Sequence, residues 1–346
     1  MGWVAHMAKI VFYEANETDK LQLSAGLAGT DHHWVFESSP LTTETVDVDA
    51  EVVSVFVGHC HITGELMDSM PKLKLIATRS TGFDHIDLKA ASERDVTVVN
   101  VPNYGENTVA EHAFTLLLAL ARKLPQTLQT TKDGVYSPNE LSGFDLKGKT
   151  LGIVGMGRIG QHSARIGRGF GMEVVGFDLF EKPEVADEIG FRYAPLEEVL
   201  SVSDVVTLHA PLVAENVHLI KAESLATMKQ GAILINTARG ELVDTQALIA
   251  ALENGHLAGA GLDTIEGERF LNEQIEINTV LDNKTTKETL INLAETETLL
   301  RMPHVIVTPH SAYNTIEAVG RINSITTDNI IEFWYGETPN KVVSAS

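Results

Sequence analysis

The sequence predicts an α/β protein built from two doubly wound parallel sheets, and three observations point there. Short apolar runs alternate with helix-like segments along most of the chain, the pattern that builds parallel sheets. The first hundred residues already hold four such runs, enough for an α/β unit of their own. Residues 149–178, KTLGIVGMGRIGQHSARIGRGFGMEVVGFD, then set a strand, a G-x-G-x-x-G turn, a helix, a second strand and an acid in succession.

Every part of that central stretch has a mechanical reason. Gly155 permits a tight turn, Gly157 lets backbone approach a pyrophosphate, and Gly160 lets helix pack on strand. The helix N-terminus offers free N–H groups and a positive dipole end to phosphates. Asp178 follows Gly160 at close to the roughly 20-residue spacing where an acid holds ribose hydroxyls. A carboxylate there repels the extra phosphate of NADP, so NAD is the expected cofactor.

The other elements follow in chain order. Strands are expected over residues 9–14, 51–58, 74–78 and 96–99, with helices over 64–70 and 87–93 between them. Residues 107–124, NTVAEHAFTLLLALARKL, read as a long helix with apolar residues on nearly every face, the mark of an element buried all round. Residues 130–145 carry Gly, Ser, Pro and Asp and read as a connector. Beyond Asp178, strands are expected at 204–209, 232–236, 257–262 and 305–308, with a helix at 244–254. A polar excursion over 269–289 leads to a helix ending near Met302, and residues 315–335 form a last helix that returns to the first domain.

Composition narrows the function classes. With 346 residues and 44% hydrophobic content, the chain has material for two cored domains, and it holds no apolar run of membrane-spanning length. Lys plus Arg total 26 against 47 Asp plus Glu, a net charge of −21 that repels nucleic acid and anionic membranes. Cys60 is the single cysteine, so no internal disulfide forms and the cytoplasm is the expected compartment. No signal peptide is visible, and residues 1–6 read as a leader before Met7. His59, Cys60 and His61 lack further ligands at suitable spacing, and His85 adds none, so no metal site is expected.

Strand ends matter because ligands of open α/β sheets sit at the carboxyl edge. Arg239, Glu268 and His310 stand there or in the loops beyond. Taken singly, each has an ordinary reading: a surface ion pair, a solvated loop acid, a histidine capping a strand. Together, behind a nucleotide fingerprint, they make the set that hydride transfer between a nicotinamide and a 2-oxo acid requires. A guanidinium grips the substrate carboxylate with a planar fork. A histidine gives the carbonyl oxygen its proton. A carboxylate bonded to that histidine orients it and raises its pKa.

These residues lie in stretches that resemble the D-isomer-specific 2-hydroxyacid dehydrogenases: the fingerprint at Gly155–Gly160, NTARGELVD at 236–244, LDTIEGE at 262–268 and TPHSAY at 308–313. The likeness runs from about Met7 to Val343. It implies Arg239 as substrate binder, Glu268 as the group tuning the histidine, and His310 as acid/base. It also implies cofactor contacts from Arg158, Ile159, Asp178, Ala210, Pro211, Asn216, Thr237, Ala238 and Asp263. The architecture it implies is a Rossmann NAD domain, residues 106–310, inserted into a discontinuous flavodoxin-like substrate domain, residues 7–105 plus 311–346. A cleft closing on substrate, and a homodimer formed through the 107–124 helix, complete what the resemblance implies.

Within the family the pattern is most similar to D-lactate dehydrogenases. Thr81 and Gly82, in RSTGFD, match the loop that holds the substrate carboxylate, while Tyr104 and Tyr313 would narrow the pocket for a small side chain such as the methyl of pyruvate. The long stretch between Glu268 and His310 and the wording of RSTGFD and VPNYGEN depart from the commonest lactate pattern. Two alternatives therefore stay open: the same chemistry on glyoxylate, hydroxypyruvate or a branched 2-oxo acid, and an NAD-sensing protein like the transcriptional corepressors that share this fold. The second predicts docking extensions, and here the chain ends soon after its final helix, at Ser346.

Overall fold

A computed structural model describes residues 7–56, 60–268 and 287–342. The chain divides into two compact units, Met1–Tyr104 with Asn314–Ser346, and Gly105–Tyr313.

The first unit begins with β1 (Lys9–Tyr13), α1 (Glu17–Leu27), β2 (His33–Glu37), β3 (Val52–Val55), α2 (Gly64–Asp68), β4 (Leu75–Thr78), α3 (Leu88–Glu93) and β5 (Thr97–Val99). Its strands pair in parallel in the order β2-β1-β3-β4-β5, the flavodoxin-like arrangement. Strands β3 and β4 are buried along their whole length, because helices cover both faces and leave no polar side to alternate. Asn16 starts α1 with a capping box, its side chain taking the Asp19 N–H while Asp19 returns to the Asn16 N–H. His59 and part of the expected 51–58 strand lie outside the described residues. Cys60 is buried, and burial pushes its thiol up to about 12. His61 bonds the His85 carbonyl and His85 bonds Thr78, so these rings serve the local fold.

The second unit runs α4 (Glu106–Ala121), α5 (Leu124–Lys132), β6 (Thr150–Val154), α6 (Arg158–Gly169), β7 (Glu173–Phe177), α7 (Pro183–Ile189), β8 (Arg192–Tyr193), α8 (Leu196–Val202), β9 (Val205–Leu208), α9 (Ala222–Thr227), β10 (Ala232–Asn236), α10 (Thr245–Glu253), β11 (Leu257–Leu262), α11 (Lys287–Arg301) and β12 (Val305–Val307). Its seven parallel strands lie in the order β12-β11-β10-β9-β6-β7-β8. The winding reverses between β6 and β9, the switch point where Rossmann sheets open a ligand crevice. Two clusters of buried apolar side chains form the core: Leu208, Leu234, Leu248 and Leu262 belong to one, and Phe114, Leu117, Ile153 and Ile235 to the other. The final helix, α12 (Ile316–Trp334), belongs to the first unit, where it packs on α1 and bonds Asn323 to Asp19.

Two expectations needed correction. The helix expected over 107–124 ends at Ala121, and α5 starts after Lys123, whose φ of 48° breaks the helical path. Pro125 sits in the first turn of α5, where its missing N–H costs nothing. The expected connector therefore opens with the end of a helix. Within the single chain, Asn107, Glu111 and Thr115 of α4, one turn apart, form an exposed stripe. Strand β2 was not foreseen, because its half-buried edge position gives HWVFE no clean alternation.

Candidate active site

All the candidate cofactor and catalytic residues follow the carboxyl ends of β6, β7, β9, β10, β11 and β12, within the second unit. At the β6 end, Gly155 has φ +96° and its absent Cβ would lie 2.6 Å from the Ala210 nitrogen. A Cβ on Gly160 would strike the Gly155 carbonyl, so α6 can start this close to the turn only without one. Gly157 faces open space and caps α6 without a side-chain bond, leaving the first-turn N–H groups of Arg158 and Ile159 to a ligand. Arg158 is exposed and pairs with Glu106 at 3.3 Å. Asp178, beyond β7, accepts the Met156 N–H at 2.7 Å and the Phe180 N–H at 2.9 Å. Its carboxylate is thereby fixed, with lone pairs left over for a diol.

Across the switch point, Ala210 and Pro211 follow β9, and Asn216 pins their turn by bonding the Pro211 carbonyl and the Val213 N–H. Thr237 and Ala238 follow β10, with the Ala238 N–H held by Asn236. The Thr237 hydroxyl is buried with no hydrogen-bond partner among the described residues. Open glycine backbone, an uncapped helix start, a fixed acid and an orphaned hydroxyl along one sheet edge fit a dinucleotide.

The catalytic candidates converge beside it. His310 Nδ1 and Glu268 Oε1 are 2.7 Å apart, each side chain about one quarter exposed. Burial pushes the His310 pKa down, but the hydrogen bond and charge of Glu268 outweigh burial and the opposing Arg239 charge, so it stands above the ordinary histidine value. The backbone of His310 is left-handed, φ +47°, which a non-glycine residue holds only where its surroundings enforce it. Arg239 bonds the Ala238 carbonyl through Nη1, and Asn236 bonds the Arg239 carbonyl. Gly240 lets this turn lie against the Ile265 backbone of the segment that delivers Glu268.

Asp263 closes β11 and is buried. Its Oδ1 accepts from the Thr308 hydroxyl at 2.6 Å and the Ser311 N–H at 2.9 Å, and its Oδ2 from the Ala312 N–H at 2.9 Å. Burial alone would raise its pKa, yet the bonds from His112, Thr308, Ala312 and Ser311 hold it below the usual carboxylate value. Sequence reasoning missed His112, whose partners lie far along the chain, and His209, a ring beneath the nucleotide turn. His209 bonds Ser163 and Thr207, and burial pushes its pKa down to about 3.

The four residues expected to bind substrate fall in different units. Thr81 bonds the Val101 carbonyl, Gly82 accepts from Ser80, and the Tyr104 carbonyl accepts from Arg321, all in the first unit. Tyr313, half-buried, ends the second. Among the described residues no group of three His, Cys, Asp or Glu is placed to hold a metal ion.

Comparison with known proteins agrees with this arrangement. Residues 114–312 match the D-isomer specific 2-hydroxyacid dehydrogenase, NAD binding domain. The chain is 39% identical to a glyoxylate reductase of Thermococcus litoralis, over 81% of this chain and 80% of that protein. Among solved structures, a D-lactate dehydrogenase from Aquifex aeolicus, complexed with NAD and lactic acid, superposes with a TM-score of 0.85 at 35% identity, covering 97% of this chain and all of that one (100%). The pyruvate reductase of Chlamydomonas reinhardtii superposes with a TM-score of 0.84 at 34% identity, covering 97% of this chain and 98% of that one. Fingerprint, sheet order, family match and relatives agree, and the chain belongs to the NAD-dependent D-isomer-specific 2-hydroxyacid dehydrogenases.

Proposed function

We propose that this dehydrogenase reduces pyruvate to D-lactate, with His310 as acid and base, Glu268 tuning it and Arg239 binding the substrate carboxylate. The observation that carries the reading is the 2.7 Å His310–Glu268 pair. Bound NADH supplies the hydride, and NAD takes it up in reverse. Since Glu268 engages Nδ1, the proton given to the carbonyl oxygen leaves from Nε2, and the neutral ring keeps its Nδ1–H on Glu268. The elevated proton affinity of His310 keeps the acid form populated in the reductive direction. Arg239 takes the carboxylate in two parallel bonds.

The cofactor contacts proposed are Gly155, Gly157, Arg158, Ile159, Gly160, Asp178, Ala210, Pro211, Asn216, Thr237, Ala238 and Asp263. Thr81 and Gly82 are proposed for the substrate carboxylate, and Tyr104 and Tyr313 for selecting a small side chain. The assignment of substrate and NAD domains to the two units belongs to the same reading. So does a homodimer, supported by exposed Leu124, Leu128, Val135 and Tyr136 on α5 and the loop after it. Cytoplasmic residence rests on the single cysteine.

Glyoxylate is the rival substrate, favoured by the likeness to the Thermococcus litoralis enzyme. The test is NADH oxidation across a panel of 2-oxo acids, with NADPH as control and both lactate enantiomers in reverse. Strong pyruvate turnover with D-lactate alone oxidised supports the proposal. Preference for glyoxylate or larger acids discards the lactate assignment, and no turnover favours an NAD-sensing role. His310→Gln should abolish turnover while NADH still binds, and an active variant would remove the proposed acid.

A further inference from the structure

The face of α4 that lies on β11 carries one polar residue with no evident place in an apolar helix, His112. The contact is set by two glycines. Leu120 lies 3.5 Å from where a Cβ of Gly259 would stand, and the Cβ of Leu116 lies 2.9 Å from that of Gly261. Four helical residues advance about 6 Å and two strand residues about 6.6 Å, so helix and strand keep step. One turn before Leu116 is His112, and two residues beyond Gly261 is Asp263.

The His112 Nε2 lies 3.0 Å from the Thr308 hydroxyl oxygen and 3.3 Å from Asp263 Oδ1. Thr308 has one hydroxyl proton and gives it to Asp263, so its oxygen can only accept from the imidazole. The Nε2 of His112 is therefore a donor. It begins a chain of donation from His112 to Thr308 to Asp263, and the same carboxylate gathers the Ser311 and Ala312 N–H groups. The Asp263 carbonyl accepts the His310 N–H at 3.0 Å. Asp263 thus clasps the turn on both sides of His310, whose left-handed backbone needs such restraint.

We propose that His112 is a positioning residue: through Thr308 and Asp263 it holds the turn on which His310 meets its substrate. The inference rests on the assignment of His310 as the acid. His112→Leu keeps bulk without the donor, and His112→Gln keeps a donor near the position of Nε2. Each is assayed with the best 2-oxo acid of the panel, beside His310→Gln, with NADH affinity by fluorescence titration and thermal melting.

A displacement of an acid by about 1 Å costs up to about a hundredfold in rate. The Leu variant should therefore lose roughly ten- to a hundredfold in kcat, with KM and NADH affinity within about twofold and melting unchanged. The Gln variant should recover most of that loss. Unchanged kcat in the Leu variant, a loss that Gln does not rescue, or a loss that follows melting or NADH affinity would each overturn the inference. If His310→Gln itself stays active, the acid assignment fails instead, so the two failures are distinguishable.

Discussion

Two glycines of the nucleotide turn should respond to the same substitution in opposite ways. Gly155→Ala forces a side chain onto a φ of +96° and drives its Cβ to 2.6 Å from the Ala210 nitrogen, about 0.8 Å inside ordinary contact at 3.4 Å. Backbone strain of this kind costs about 1–3 kcal/mol. Overpacking against a backbone that cannot swing away costs about as much again. At the low end of both, the variant loses about 2 kcal/mol, or at least about 4 °C in melting temperature for a unit of this size. Gly157 differs in both respects: its φ is −66°, open to any residue, and nothing lies within 4 Å of its absent Cβ. Gly157→Ala should leave melting unchanged or raise it slightly, since alanine has less unfolded-state freedom. Its methyl would occupy the space a pyrophosphate needs. Losing one hydrogen bond to a charged group, about 1.5–3 kcal/mol, weakens NADH binding roughly ten- to a hundredfold. Melting curves and NADH titrations on both variants decide the matter. A Gly157→Ala protein with unaltered NADH affinity would refute the placement of the pyrophosphate.

Two further outcomes follow from charge. Folding raises the His310 pKa, so its pairing contributes stability fully below about 6.5, the unfolded value, and loses it as pH rises through the folded value. Glu268→Gln should flatten that part of the stability–pH curve and make reduction of the 2-oxo acid fail at lower pH than in the wild type; an unmoved pH–rate profile would count against the pair. Asp178→Ala removes the acceptor of the Met156 and Phe180 N–H groups and the charge that opposes a 2′-phosphate. The ratio of NADPH to NADH efficiency should rise at least about tenfold, equivalent to 1.4 kcal/mol, and steady-state kinetics with both cofactors would show whether it does.

The legible parts of this chain are those where chemistry leaves no substitute. Gly155 and Gly160 stand against backbone, and that requirement is written locally in G-x-G-x-x-G. Continuous apolar runs such as AILIN announce strands covered on both faces. Strand β2 was hidden because an edge strand is half-buried, and the break before α5 because its turning residue is a lysine. The role of His112 was invisible for a different reason. An imidazole on the inner face of α4 does not name its partners, and Thr308 and Asp263 meet it only through the close approach that Gly259 and Gly261 allow.

The burial of Cys60 makes the protein a convenient scaffold for site-directed labelling. A thiol pushed up to about 12 and shielded from solvent is a poor nucleophile toward maleimides at neutral pH. A cysteine introduced at exposed Leu21 in the first unit, or exposed Leu300 in the second, then becomes the reactive thiol of the chain without prior removal of the native one. A label at either position would report on the unit that carries it when NADH and a 2-oxo acid are added.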